Sequence, residues 1–292
     1  MPESPEVDAL VDELGAQLAG RAITDVDVLE FRVAKTRARP PSSLTGERLT
    51  AAMRHGKLVD LVFGDAHLVV SLGRHGWARW RDGDGDDAAA YDAPVTGADD
   101  ADAGPAPALA TVEFDDGRAL EFTDAGGWVS LGFWVVDDPA DVPAVAKLGP
   151  DPADPEFSRA DFDQAVVGRR KQIKAVLQEQ ESLAGIGNAY SDEILHTAKI
   201  SPVAHAAALT EAELGRLFDT TVGTITTAIE ARRGIPIDQL KAVKVAAMRV
   251  HGRAGETCPV CGDTIRDFSF ASTTAQYCPT CQTNGEQLPL KG

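Results

Sequence analysis

Four cysteines close the chain in the spacing C-x2-C-x16-C-x2-C, as Cys258, Cys261, Cys278 and Cys281. Each Cys-x-x-Cys pair turns two sulfurs toward one point, and two such pairs supply the four thiolates of a tetrahedral zinc ion. Gly262 follows the first pair, where a tight knuckle needs a permissive backbone. Two disulfides would use the same residues. However, the first 30 residues carry acids rather than a basic segment followed by an apolar run, so they do not read as a signal peptide. A cytoplasmic location is expected, and there thiols stay reduced. One Zn2+ is therefore expected, in a structural role, because four cysteines leave no open coordination position.

The rest of the chain divides by periodicity. Its 292 residues exceed one typical domain, and no apolar run approaches the roughly 20 residues needed to cross a bilayer. Residues 5–18 place Val7, Leu10, Val11, Leu14 and Leu18 at helical spacing. Short β-rich runs follow at 22–31, 57–63, 67–72, 109–114, 118–123 and 133–136, several separated by Asp-Gly or Gly-Asp. Residues 1–136 are thus expected to form a β-sandwich or barrel domain with a leading helix, and the Pro/Asp-rich stretch 137–158 a linker. Helical patterns then cover 159–182, 188–199 and 210–232, while 233–256 reads as irregular and basic. The expected fold class is α+β, multi-domain: sandwich, helical domain over 159–256, ribbon over 257–292.

A net charge of −17 argues against a nucleic-acid partner if taken alone. Its distribution matters more. Residues 82–107 hold eight aspartates and no Lys or Arg, which reads as a solvated loop. Positive charge collects at Arg169, Arg170, Lys171 and Lys174, and again at Lys241, Lys244, Arg249 and Arg253. Such faces bind phosphate in a salt-sensitive way, or are ordinary solvated surface.

Two further motifs carry chemistry. In LAGIGNAYSDEIL, residues 183–195, Gly185 and Gly187 bracket a tight turn and a helix begins near Asn188. The amides of a helix N-terminus can hold a phosphate, with the Asn188 side chain as a further donor. Alternatively Asn188 is only an N-cap. At the other end, Met-Pro-Glu-Ser-Pro-Glu would expose Pro2 as a secondary amine once Met1 is removed, with Glu3 and Glu6 beside it. Such an amine attacks a sugar carbon to give an iminium ion; in the plain structural alternative the prolines merely start a helix.

Together, Pro2-Glu3-x-Pro5-Glu6-Val7, the LAGIGNAYSDEIL turn, RHGKLVDL at 54–61, LGPDP at 148–152, VHGRAGETC at 250–258 and the terminal ribbon resemble the formamidopyrimidine-DNA glycosylase / endonuclease VIII family. The resemblance spans nearly the whole chain. It implies a helix and β-sandwich, a helix–two-turn–helix domain and a zinc ribbon, with damaged or abasic DNA, duplex or single-stranded, as partner, no membrane association and a monomeric state. It also implies a bifunctional glycosylase and abasic-site lyase that flips its target nucleotide out of the duplex. In that reading Pro2 is the nucleophile at C1′, and Glu3 is a general acid on the ring oxygen whose proton burial retains. Glu6 orients the N-terminus, Lys57 contacts phosphate and assists proton transfer, and β- then δ-elimination cuts the strand. Asn188, Arg74, Trp128, Lys171 and Arg253 are the expected DNA contacts. The alternative is a catalytically weak damaged-DNA-binding protein.

The sequence also departs from that family. The ribbon arginine five residues before the third cysteine is Thr273 here, with Arg266 the nearest substitute. In SLGRHG, residues 71–76, Ser71 replaces a histidine and Arg74 a wedging methionine. In DAGGWV, residues 124–129, Gly126 and Gly127 stand where an arginine to the unpaired base is usual, and Trp128 takes the wedging aromatic's place, either stacking on a base or buried as core. These changes leave Pro2 intact and imply a non-standard lesion, a single-stranded substrate or an abasic site.

Overall fold

A computed structural model describes residues 2–81, 106–270 and 273–288. The acidic stretch 82–107 therefore lies outside the described residues, except for Ala106 and Pro107. The chain forms two compact units: Met1–Pro2, Val7–Ala146 and Gly234–Leu240 in one, and Glu3–Glu6, Lys147–Arg233 and Lys241–Gly292 in the other.

The first unit is a sandwich of two antiparallel four-stranded sheets. Strands β1 (Ile23–Asp27), β6 (Ala108–Phe114), β7 (Ala119–Asp124) and β5 (Gly76–Arg81) lie in that order in one sheet. Strands β2 (Ala51–His55), β3 (Leu58–Phe63), β4 (Ala66–Ser71) and β8 (Gly132–Val136) form the other. Alternation along β3 sends Val59, Leu61 and Phe63 into the main core with Leu68, Val70, Val112, Leu120 and Phe122. Phe122 and Phe133 meet edge-to-face across the sheets, ring centroids 4.9 Å apart. Helix α1 (Ser4–Leu18) buries Val7, Leu10, Val11, Leu14 and Leu18 in the same core, which is why its apolar residues recur every three to four positions. β2 and β5 are absent from the sequence reading because AAMRH and GWARWR mix small and charged residues and bury few side chains fully. The stretch read as a linker is ordered at its start: helix α2 (Pro143–Ala146) follows Val142, which is fully buried against Leu58 and Val69.

The second unit is helical. Helices α3 (Arg159–Val166), α4 (Ile173–Gln178), α5 (Asn188–Ala198) and α6 (Glu211–Arg232) enclose a core of Phe162, Ile173, Leu177, Ile186, Ile194, Leu195 and Leu217. Capping boxes at Ser158/Asp161 and Thr210/Glu213 fix the starts of α3 and α6. The single helix expected over 159–182 is two, because Gly168 takes φ +75° and turns the chain after α3. A larger correction concerns 233–256, expected to be irregular. After Gly234, at φ +75°, helix α7 (Ile237–Ala247) forms. Its inward positions are Ile237, Leu240 and Lys244, followed by Met248, all buried. A lysine in the apolar stripe hid the helical period. The ribbon ends the chain: β9 (Arg266–Phe270) pairs with β10 (Thr273–Tyr277), and α8 (Pro279–Gln282) follows.

Candidate active site

The N-terminal turn of α5 is the centre of the second unit's chemistry. Gly185 adopts φ +85°, closing the turn, whereas Gly187 is extended and serves as N-cap without a side-chain bond. The first amides of such a helix lack partners within it and carry the positive end of its dipole. Here the partner is Glu3, 1 % exposed. Its Oε2 accepts from the amides of Gly187 and, at 3.3 Å, Tyr190; its Oε1 accepts from Ala189 at 3.0 Å and from Lys244 Nζ at 3.4 Å. A carboxylate has about four lone-pair sites, so all are engaged. The amides that the sequence offered to phosphate are occupied by the chain's own carboxylate.

Glu6, one turn along α1, is buried beside it. Its Oε2 accepts from the Glu3 amide at 3.0 Å and from Lys244 Nζ at 2.8 Å. Its Oε1 accepts from the Tyr190 hydroxyl at 2.8 Å and pairs with Arg232 Nε at 2.8 Å. Glu6 thereby fixes the peptide that joins Pro2 to Glu3, and Ser4 N donates to Gly185 O at 3.0 Å to anchor the start of α1 on the same turn. Burial pushes the Tyr190 hydroxyl far above its usual range, so it stays a donor. The sequence placed Lys244 only in a basic face and Tyr190 only within the 183–195 motif, and it gave no sign of Arg232. Lys244 stands 241 positions from Glu3, and only the tertiary fold brings them together.

Beneath α5, Lys174 is completely buried and pairs with Asp192, which also receives His251 Nδ1 at 2.8 Å. Glu193 accepts from the amides of Arg249, Val250 and His251 at 2.9–3.0 Å, fixing the segment after α7. Desolvation pushes the Glu193 carboxyl up. Asn188 is half-buried, and its Oδ1 accepts from Gln178 Nε2 at 2.9 Å, so its side chain is positioned from α4 rather than spent as an N-cap.

The basic faces read from sequence are largely neutralised from within. Lys174 and Lys244 are interior. Lys171 pairs with Glu179 at 2.6 Å, and Arg169 pairs with the same carboxylate. Hydrogen bonds from Lys171 and Ser182, then Arg169, pull Glu179 down to about 2. Arg253 pairs with Glu256 at 3.2 Å. In the ribbon, Arg266 pairs with Tyr277 and Thr273 with Phe270, at opposite ends of the hairpin. Four residues of strand span roughly 13 Å, so Arg266 does not substitute at the position of Thr273.

In the first unit, Lys57 lies half-buried in the β2–β3 turn after Gly56, which takes φ +58°. Arg54 ties that turn to α1, donating to Gly56 O at 2.9 Å and to Asp8 at 3.2 Å. Asp124 organises the loop after β7: its carboxylate accepts from Gly126 N, Ser130 N, Ser130 Oγ and Leu131 N at 2.7–3.1 Å. Arg74 N donates to Ser130 Oγ at 3.0 Å, and Arg74 is exposed. Trp128 is 85 % exposed, so it is not core. A Cβ at Gly126 would lie 2.8 Å from His75, and no longer side chain fits there without a shift.

The four cysteine sulfurs lie within 4.8 Å of one another and are not in disulfides. Cys258 and Cys281 are 3.9 Å apart and Cys261 and Cys278 3.3 Å, near the roughly 3.8 Å edge of a tetrahedron with Zn–S of about 2.3 Å. His196 Nε2 lies 3.3 Å from Cys258 Sγ; burial lowers His196 to about 4, so it is a neutral donor suited to a thiolate. The cluster fits one structural zinc ion.

Three family models match in chain order. They are the formamidopyrimidine-DNA glycosylase N-terminal domain over residues 1–128, its H2TH domain over 148–238, and a zinc finger found in FPG and IleRS over 255–284. A formamidopyrimidine-DNA glycosylase of Mycolicibacterium gilvum is 34 % identical over 97 % of this chain and 98 % of its own length. The chain belongs to the formamidopyrimidine-DNA glycosylase family. Among other relatives of this glycosylase family, an uncharacterized formamidopyrimidine-DNA glycosylase-like protein of Mycobacterium tuberculosis is 46 % identical over 51 % of this chain and 93 % of its own. The Lactococcus lactis glycosylase crystallised with abasic-site DNA gives a TM-score of 0.79 at 26 % identity, covering 96 % of this chain and 99 % of that one. The same protein with DNA containing an oxidized pyrimidine also gives 0.79. The family is one of base-excision-repair DNA glycosylases, and the architecture of sandwich, H2TH domain and zinc finger is shared.

Proposed function

We propose that this family member is a bifunctional DNA glycosylase and abasic-site lyase whose nucleophile is the Pro2 amine, freed when Met1 is removed. The observation that carries the reading is the seating of Glu3: three amides of the α5 N-terminus hold the residue covalently joined to Pro2. Such rigidity has a use where a neighbouring atom must meet a sugar carbon in a fixed geometry. The partner is DNA carrying a damaged or abasic nucleotide, acted on by the monomeric protein.

Pro2 N attacks C1′ and the C1′–base bond breaks, the base leaving with the electron pair and taking up a proton. The proton on Pro2 N passes to Glu3 and from there to the ring oxygen as the C1′–O4′ bond opens, which leaves the C1′=N+ iminium. To take up that proton Glu3 must give up one of its donors, and the longest contact, 3.4 Å to Lys244, is the one that yields. Loss of the C2′ proton then expels the 3′-phosphate, a second elimination expels the 5′-phosphate, and water releases Pro2. Glu6 positions the Pro2–Glu3 peptide. Lys57 and Asn188 take the phosphates beside the lesion, and Arg74 and Trp128 contact the duplex or an unpaired base. Lys171 and Arg253, already paired with glutamates, add less. The absence of an arginine at 126 and 127, of which Gly126 is packed tightly on His75 and Gly127 is open, supports substrates that need no arginine to the opposite base: abasic sites, single strands, or non-standard lesions.

Incubation with abasic DNA and borohydride tests the reading. A covalent adduct is expected with the Met1-free protein, and loss of at least 90 % of it, on the order of the effect of removing a catalytic nucleophile, with Pro2→Gly or an N-terminal tag. Absence of adduct at low salt in the unaltered protein would instead support a non-catalytic DNA-binding role. Strong cutting of 8-oxoguanine that depends on an opposite cytosine would overturn the substrate preference.

A further inference from the structure

Lys244 belongs to no motif, yet it reaches both carboxylates that flank the Pro2–Glu3 peptide. It projects from α7 in place of an apolar residue between Leu240 and Met248, 9 % exposed, with its ammonium 5.1 Å from the Tyr190 ring centre. Burying an ammonium is costly unless it is paired. Desolvation alone would lower its pKa, but the charges of Glu3 and Glu6 and their hydrogen bonds outweigh it and raise it. Lys244 is therefore a fixed cation rather than a second nucleophile.

Charged and polar groups from neighbouring helices meet around it. Glu3 and Glu6 come from α1 and Arg232 from α6, with the Tyr190 hydroxyl from α5. Behind Glu3, Lys174 of α4 pairs with Asp192 of α5 and also feels the charge of Glu3, with His251 on Asp192. Glu6 thus stands between two cations, Lys244 and Arg232. Glu6 Oε2 is 3.0 Å from Glu3 N, and Pro2 N is three bonds from that atom, so this carboxylate oxygen sits within roughly 7 Å of the amine. At that range an uncancelled carboxylate would favour the ammonium form of Pro2, which cannot attack.

We propose that Lys244 is a positioning residue that cancels the charge of Glu6 and so keeps the Pro2 amine neutral and nucleophilic. The inference rests on the reading of Pro2 as nucleophile, and two measurements keep their failures apart. The first is the pH dependence of reductive methylation of Pro2 by formaldehyde, read by mass spectrometry on the Met1-free, zinc-loaded full chain. The second is borohydride trapping on abasic DNA across the same pH range. Lys244→Met should raise the midpoint of both profiles by about one unit, a typical effect of a nearby charge. Glu6→Gln should lower it, the Lys244→Met/Glu6→Gln double variant should restore it, and Lys244→Arg should match the unaltered protein. If Lys244→Met fails to fold, Glu6→Gln and the charge-balanced double variant decide. Unmoved methylation midpoints in the neutral variants would overturn the role of Lys244. Shifted midpoints without any DNA adduct would uphold the charge balance and overturn the lyase reading instead.

Discussion

Glu3 shows how one side chain can hold a site together. Its two oxygens take three backbone amides and an ammonium, so replacing one oxygen by an amide group turns two donors toward another donor. Glu3→Gln is expected to destabilise the protein by about 1–3 kcal/mol, the cost of buried donors left unpaired, measured by urea denaturation. It should also abolish base removal while sparing much of the strand cutting at preformed abasic sites. Equal loss of both activities in folded protein would contradict the proton-transfer role. Pro2, Glu3 and Glu6 were visible as a local string, because a helix start brings neighbours in sequence together. Tyr190, Arg232 and Lys244 were not, because their contacts are set by the packing of α5, α6 and α7 on the start of α1. Nothing in the sequence around Lys244 distinguishes it from a solvated lysine.

At the scale of elements, legibility followed periodicity. α1 and α6 were clear because burial repeats along them as an apolar stripe. α7 was missed because its inward face combines Ile237 and Leu240 with Lys244, and β2 and β5 because neither alternates in a simple apolar pattern. The ribbon was the most legible element, since four sulfurs at fixed spacing encode their own geometry. Its other buried apolar side chains are few: Val250 and Ile265 beside the cysteines, and Phe268, Ala275 and Tyr277 along the hairpin. A core that small does not stand without its metal. One zinc per chain is expected by elemental analysis. A chelator or Cys261→Ser should unfold 257–288, seen as loss of hydrogen-exchange protection there, while the sandwich strands stay protected. Uniform protection after complete zinc loss would refute the structural role.

For the molecule as a whole, a charge of −17 has to be reconciled with a polyanionic partner. Among the described residues, the clusters that read as basic in the sequence are partly committed inside the protein rather than forming a broad basic face. Lys171 and Arg253 answer to Glu179 and Glu256, and Lys174 and Lys244 are interior. With two to four phosphate contacts, the log–log dependence of DNA affinity on salt should have a slope of about −4 or shallower. Fluorescence anisotropy between about 50 and 200 mM salt measures it; a slope near −10 would mean that a large basic surface had been overlooked. The loop after β7 shows how an exposed side chain is held out on a rigid frame. Asp124 alone gathers four donors to shape the loop, while the Trp128 it displays contributes almost nothing to the core. Frame and tip are thereby separable. A lineage can exchange the exposed side chain at 128 at almost no cost in stability, whereas a change at 124 would dismantle the loop that displays it.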